Sequence, residues 1–190
     1  METQINARAM RALQDFLTAL GVDLQARGME KTPARVTQLF QQLTAGGTLP
    51  TNFWGACFPS ATQGLVAVRG LPFASLCEHH LVPFFGEVQI AYLPRDGKVA
   101  GFGKFQEAVR ILAQEPSLQE RLTHKIAVAV QEGTQALGVL VVVEAEQLCM
   151  RLLGEAAPSA RVMTSEALGV LQTNPALRQE AWQMLSRKVG

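Results

Sequence analysis

The run GVLVVVEAE at 138–146 does most to limit what this chain can fold into. Side chains branched at Cβ lose rotamer freedom in a helix and fit a pleated sheet, so this valine-rich text reads as strand. The text just before it reads as helix, over about 103–114 and 117–136, with Pro116 breaking the pattern. Helices and strands must therefore share one domain. Continued through LCMRLLG to residue 154, the valine run is expected to form a strand pair or one long bent strand. LVAVRGL (65–71), GEVQIAYL (86–93) and RVMTSEALGVL (161–171) add strand text, and PRDG (94–97) reads as a turn.

The flanks are helical. Met10, Leu13, Phe16, Leu17 and Leu20 recur at helical spacing until Gly21. A second helix opens with Thr32 as N-cap and Pro33 in the first turn, and stops at Gly46-Gly47. Residues 47–63 read as a loop or arm, and Asn174-Pro175 begins a closing helix to about Lys188. This order predicts an α+β domain with antiparallel pairing over 48–190, preceded by a helical region over 1–47.

The formal charge is +1, from 17 basic and 16 acidic residues spread along the chain. Without a basic block or aromatic-basic interleaving, nucleic-acid binding has no support. No apolar run approaches the roughly 18–20 residues that span a bilayer, and the N-terminal text lacks a signal-peptide layout. A cytoplasmic protein is expected. The odd set of Cys57, Cys77 and Cys149 argues against a disulfide framework.

Cys77-Glu78-His79-His80 puts a thiol and an imidazole three residues apart, a reach from which one turn can offer two donors to a zinc ion. A third soft donor has to come from Cys57 or Cys149. Three protein ligands and an open fourth position make a catalytic arrangement rather than a structural one. Spacing alone leaves open which cysteine it is, and also a core thiol with two incidental histidines.

The longer text LCEHHLVPFFGEVQIAYLP, followed in order by GKF, QERLT and EAEQLCM, resembles the GTP cyclohydrolase I family. The resemblance runs from TPARV (32–36) to ALGVL (167–171). It implies the tunnelling fold, an antiparallel sheet backed by paired helices, assembled as a homodecamer with active sites between subunits. It implies hydrolysis at C8 of GTP, opening of the imidazole ring, loss of formate and reclosure to dihydroneopterin triphosphate. Cys77, His80 and Cys149 fall on the family's zinc ligands, and Cys57 is left as a loop or core thiol. His79 falls on the histidine that handles the proton at the purine N7 and the attacked carbon. Glu120 falls on the carboxylate that grips the guanine edge, with Gln119 beside it, and Lys104 on a phosphate-binding lysine. His124 matches no functional position and reads as a surface histidine.

The chain departs from the family pattern at four active-site positions. Gln147 stands for a second catalytic histidine, and an amide cannot exchange a proton near pH 7. The family's SKxxR reads Gly103-Lys104-Phe105-Gln106-Glu107, so Gly103 replaces a serine and Glu107 reverses the charge of a phosphate-binding arginine. Leu153 takes the place of another. If 147–153 is a strand, Gln147, Cys149, Arg151 and Leu153 share a face, and Arg151 returns one positive charge to the pocket. The expected function is a zinc-dependent hydrolase that opens the imidazole ring of a purine nucleotide, nucleoside or base, with weakened triphosphate recognition. Ordinary GTP cyclohydrolase I and a silent purine- or pterin-binding paralogue are the alternatives.

Overall fold

A computed structural model describes residues 6–61, 63–154 and 160–186. The chain divides into two compact units, Met1–Ala45 and Gly46–Gly190.

The first unit is a helix pair. Helix α1 (Ala7–Ala19) starts at Asn6, whose side-chain oxygen accepts from the Ala9 amide at 3.0 Å. It ends where Gly21 takes a φ of 77°. Helix α2 (Thr32–Leu43) packs along it. The expected cap is off by one residue: Lys31 holds the cap position without a side-chain bond, and Thr32 is already helical. Pro33 in the first turn loses nothing, because its missing N–H has no helical partner there.

In the second unit, β1 (Phe58–Pro59) leaves the expected loop to pair with β4 (Lys98–Val99). Strands β2 (Val66–Cys77) and β3 (Pro83–Leu93) form a hairpin longer than the strand text suggested. Helix α3 (Phe102–Leu112), the short β5 (Pro116–Ser117) and helix α4 (Gln119–Thr134) follow. Next come β6 (Gly138–Gln147), helix α5 (Leu148–Leu152), β7 (Val162–Gly169), helix α6 (Val170–Thr173) and helix α7 (Pro175–Ser186). The main sheet runs β5-β2-β3-β6-β7, antiparallel except where β5 meets β2. The tunnelling-type α+β fold of the expectation is what the chain adopts. Asn174 caps α7, accepting from the Leu177 amide at 3.1 Å, and the end expected for this helix, residues 187 and 188, lies outside the described residues.

The valine run shows why both helix groups are needed. Alternate residues of a strand face opposite sides of a sheet. Val139, Val141, Val143 and Ala145 join Phe105, Val109, Leu122, Ile126 and Val130 in one core with α3 and α4. Leu140 and Val142 join Leu171, Ala181 and Leu185 in a second core with α6 and α7. Gly86, from the PFFG text, is needed where β3 passes β6, since a Cβ there would sit 2.0 Å from the Glu144 carbonyl oxygen. Among the described residues no helix is long and apolar enough to cross a membrane.

One expectation fails at the end of β6. The segment 138–154 is neither a strand pair nor a long strand, because after Gln147 the chain turns into α5. Leu148, Met150, Leu152 and Leu153 carry no Cβ branch and suit a helix. Gln147, Cys149, Arg151 and Leu153 therefore do not share a strand face.

Candidate active site

Three strand ends build the site. Cys77 is the last residue of β2 and is buried, and the turn Glu78–Val82 carries the chain back into β3. This turn is tight: the Cys77 amide donates to the Val82 carbonyl at 2.9 Å, and the Leu81 amide to the Cys77 carbonyl at 2.8 Å. Leu81 takes a φ of 52° in it, a left-handed conformation that costs a non-glycine residue about 1–2 kcal/mol. The turn projects His79 and His80 outward, both exposed, with their rings edge-to-face at 6.2 Å.

Cys149 arrives from the far side of β3. Phe84 pairs with Gln147, so β6 ends two strands away from Cys77, about 9–10 Å across the sheet. Had β6 run on as a strand, Cys149 would move farther off. The helical turn of α5 instead packs against β3 and brings Cys149 back. The result is that one donor atom each from Cys77, His80 and Cys149 lies within 4.8 Å of the others.

The donors suit a metal ion. A tetrahedral ion with ligand bonds of about 2.0–2.3 Å holds its donors about 3.3–3.8 Å apart, a spacing within the bound seen for these three atoms. The two sulfurs are also poor neighbours without a cation. Burial pushes the Cys149 thiol above its ordinary range, and the Cys77 sulfur adds to the shift by charge and by hydrogen bond. A divalent cation reverses that balance by favouring both thiolates. Cys57 lies half-buried against the core and is not part of the trio.

Helix α4 borders this turn. Glu120 is exposed in its first turn, where a carboxylate also suits the positive end of the helix dipole. Gln119 differs from the expectation that it assists at the substrate. It is 3% exposed, and its amide nitrogen donates to the carbonyls of Val143 at 3.1 Å and Val162 at 2.9 Å, with the Thr164 hydroxyl at 3.2 Å. Its carbonyl accepts from the Gln147 amide nitrogen at 2.6 Å. Gln119 thus ties α4 to β6 and β7, and it leaves the Gln147 carbonyl oxygen as an acceptor that Gln119 does not use.

The remaining candidates are spoken for elsewhere. Lys104 donates to Glu107 at 3.0 Å and stands 4.6 Å over the Phe53 ring. Gln106, on the same helix, donates to the Pro72 carbonyl, five residues before Cys77 and so about 16 Å back along β2. Within one chain, the end of α3 that carries Lys104 and Gln106 therefore lies against Pro72 rather than at Cys77. Arg151 donates to Glu146, and Arg161 reaches the same buried carboxylate at 3.2 Å. The proposed strand face for Arg151 is lost with the strand, and its guanidinium has a partner in place. Leu153 is exposed. His124, on the surface of α4, faces Glu166 at 3.6 Å.

Sequence reasoning passed over Arg121 and Glu78, although both lie inside the motifs it used. Arg121 forks onto Glu78, with Nη2 to Oε1 at 3.3 Å and a shorter bond from Nη1 to Oε2. The adjacency of an arginine to Glu120 and of a glutamate to Cys77 was the available signal.

Comparison with known proteins agrees with this geometry. The family model described as GTP cyclohydrolase I matches residues 9–186. A GTP cyclohydrolase 1 of Desulforamulus reducens is 40% identical over 178 residues, 93% of this chain and 95% of that protein. Proteins of the same name from Streptococcus pyogenes and Geobacillus kaustophilus are each 39% identical. They align over 181 residues (95% and 93% of the two chains) and 175 residues (92% and 93%) respectively.

Proposed function

Since the chain belongs to the GTP cyclohydrolase I family and is an enzyme of that type, we propose a zinc-dependent hydrolase that acts at C8 of a guanine-type purine and opens its imidazole ring. The observation that carries this reading is the convergence of Cys77 and His80, from one turn, with Cys149, some seventy positions further along the chain. These three residues would hold the zinc ion. When bound, the ion supplies Lewis acidity that makes water reactive near neutral pH. An inert binder has no use for such a site.

The protein's own groups divide the rest of the work. His79, exposed beside the donors, handles the proton at the purine N7 and the attacked carbon, a task suited to an imidazole because its ring can both donate and accept a proton. Glu120 accepts from the purine N1–H and exocyclic amine together, a bidentate match that fixes the ring. Gln147 offers a hydrogen bond and no proton. Ring opening is within reach of these groups, and the later proton transfers that release formate and reclose the ring are slow.

Triphosphate recognition is weak in this reading, and the Lys104–Glu107 ion pair supports it. The cation at the family's phosphate segment is neutralised by the residue that stands where an arginine is expected. A GTP cyclohydrolase I of the ordinary kind is the second reading, favoured by about 40% identity over nearly the whole chain to proteins of that name. The enzyme is cytoplasmic and homo-oligomeric, a homodecamer with sites between subunits. The placement of the Lys104 end of α3 against Pro72 supports a shared site, and the edge strand β7 offers a pairing surface.

Incubating zinc-loaded protein with GTP, GMP, guanosine and guanine decides between the readings. Ultraviolet absorbance follows ring opening, and a formate assay follows its completion. The proposal expects GTP to gain little over guanosine or GMP in kcat/KM, and little formate. Dihydroneopterin triphosphate formed from GTP at about 1 per second or faster establishes the ordinary enzyme instead.

A further inference from the structure

We propose that Arg121 is a positioning residue of this site: its fork onto Glu78 holds the turn that carries His79 and His80 in register with Glu120. The inference rests on the functional reading above and extends it to two residues without an assigned role.

The turn Glu78–Val82 is short of internal support. Its backbone bonds join its two ends, Cys77 with Val82 and Leu81 with Cys77, and Leu81 sits in a left-handed conformation. Such a turn does not fix its own tilt relative to the helices. Glu78 does, because the segment that opens α4 holds it twice. Its amide donates to the Ser117 carbonyl at 3.3 Å, and its carboxylate takes both arms of the Arg121 guanidinium. Glu78 lies between Cys77 and His79 in the chain, so its tilt is passed to a metal donor on one side and to both imidazoles on the other.

The same bond sets the other half of the site. Arg121 follows Glu120 directly, and successive helix residues point about 100° apart. Anchoring Arg121 to Glu78 anchors the first turn of α4, and with it the backbone that carries Glu120, against the histidine turn. A purine held by its amine edge on Glu120 then meets the metal donors and His79 at one distance. Small errors in such placement are expensive in rate, since the reacting atoms must lie within about 3–3.5 Å of each other.

Geometry, and not stability, is what this pair supplies. Arg121 is 52% exposed and Glu78 28%, and exposed ion pairs contribute little to folding. A planar fork on a carboxylate nevertheless fixes orientation in a way that the point charge of a lysine does not. The signature is a loss of function that is large compared with the loss of stability, and that lysine does not repair.

The test compares Arg121→Ala, Arg121→Lys, Glu78→Gln and the double variant Arg121→Ala/Glu78→Gln as zinc-loaded protein. Three readouts are taken: Tm, the rate of zinc release to a chelator, and kcat with KM for the best purine substrate. Arg121→Ala is expected to keep Tm within about 3 °C, to release zinc at least fivefold faster and to lose at least tenfold in kcat. Arg121→Lys recovers less than a third of that kcat, and the double variant is no worse than the poorer single one. Full activity in Arg121→Lys, additive losses in the double variant, or a fall in Tm with zinc release and kcat unchanged each overturn the proposal. Wild-type protein that opens no purine ring overturns the functional reading, while the zinc-release comparison still tests the turn by itself.

Discussion

Replacing Gln119 by leucine tests whether this residue braces the sheet or grips the substrate. Leucine keeps most of the volume but removes a donor to the Val143 and Val162 carbonyls and the acceptor for the Gln147 amide. Val143 lies inside a strand paired on both sides, so its carbonyl loses only an extra bond, about 0.5 kcal/mol. The Val162 carbonyl and the Gln147 N–H lose a partner in a part-buried setting, at about 1–1.5 kcal/mol each. The sum is about 3 kcal/mol. For a chain of this size each kcal/mol lowers Tm by about 2–4 °C, so the expected fall is about 6–12 °C. Thermal unfolding followed by circular dichroism, at one protein concentration because assembly contributes to Tm, measures it. Steady-state kinetics well below the transition should show KM changed by less than about threefold. Gln119→Glu is expected to be worse at neutral pH, since its carboxylate faces backbone carbonyls. Its folded form then holds a proton that the unfolded form has lost, so this variant gains stability as pH falls. A Tm within 2 °C of wild type together with a tenfold rise in KM refutes the bracing role and returns Gln119 to the substrate.

Metal analysis should find about one zinc per chain, lost with all activity in Cys149→Ala and kept in Cys57→Ala; equal zinc in Cys149→Ala and wild type removes Cys149 from the ligand set. Light scattering at micromolar concentration should find an oligomer, and a monomer contradicts the shared site. Restoring the family pattern with Gln147→His, Glu107→Arg and Leu153→Arg together should raise GTP turnover at least tenfold, about 1.4 kcal/mol in transition-state terms. An unchanged rate shows that these departures are harmless.

Local chemistry made much of the fold legible. A valine-rich run between two helical stretches forces a sheet with helices packed on it, and Asn174-Pro175 starts a helix because both residues act within one turn. The motif around Cys77 and His80 was readable for the same reason: two donors three residues apart need only a turn to meet. The third donor was different. Cys57 and Cys149 are equal by composition, and only family resemblance preferred Cys149.

What the tertiary structure decided are matters of direction. Leu148–Leu152 closes as a helix because it packs back over β3, and that bend carries Cys149 to Cys77. It also removes Arg151 from the face expected for it and leaves it with Glu146. Gln119 and Glu120 are neighbours in sequence, yet one is sealed between α4 and the sheet while the other is exposed. A step of about 100° around a helix separates those environments, and the stripe of Leu122, Ile126 and Val130, three, seven and eleven residues after Gln119, was the signal for which side meets the sheet. Lys104 and Glu107 pair because they lie one helical turn apart, so their charges were legible in the sequence and their contact in the fold. The amino-acid sequence by itself determined which residue types are present for metal and purine chemistry. The packing of α4 and α5 against the sheet decided which of them face one another, because contacts between residues dozens of positions apart depend on where strands end and helices turn.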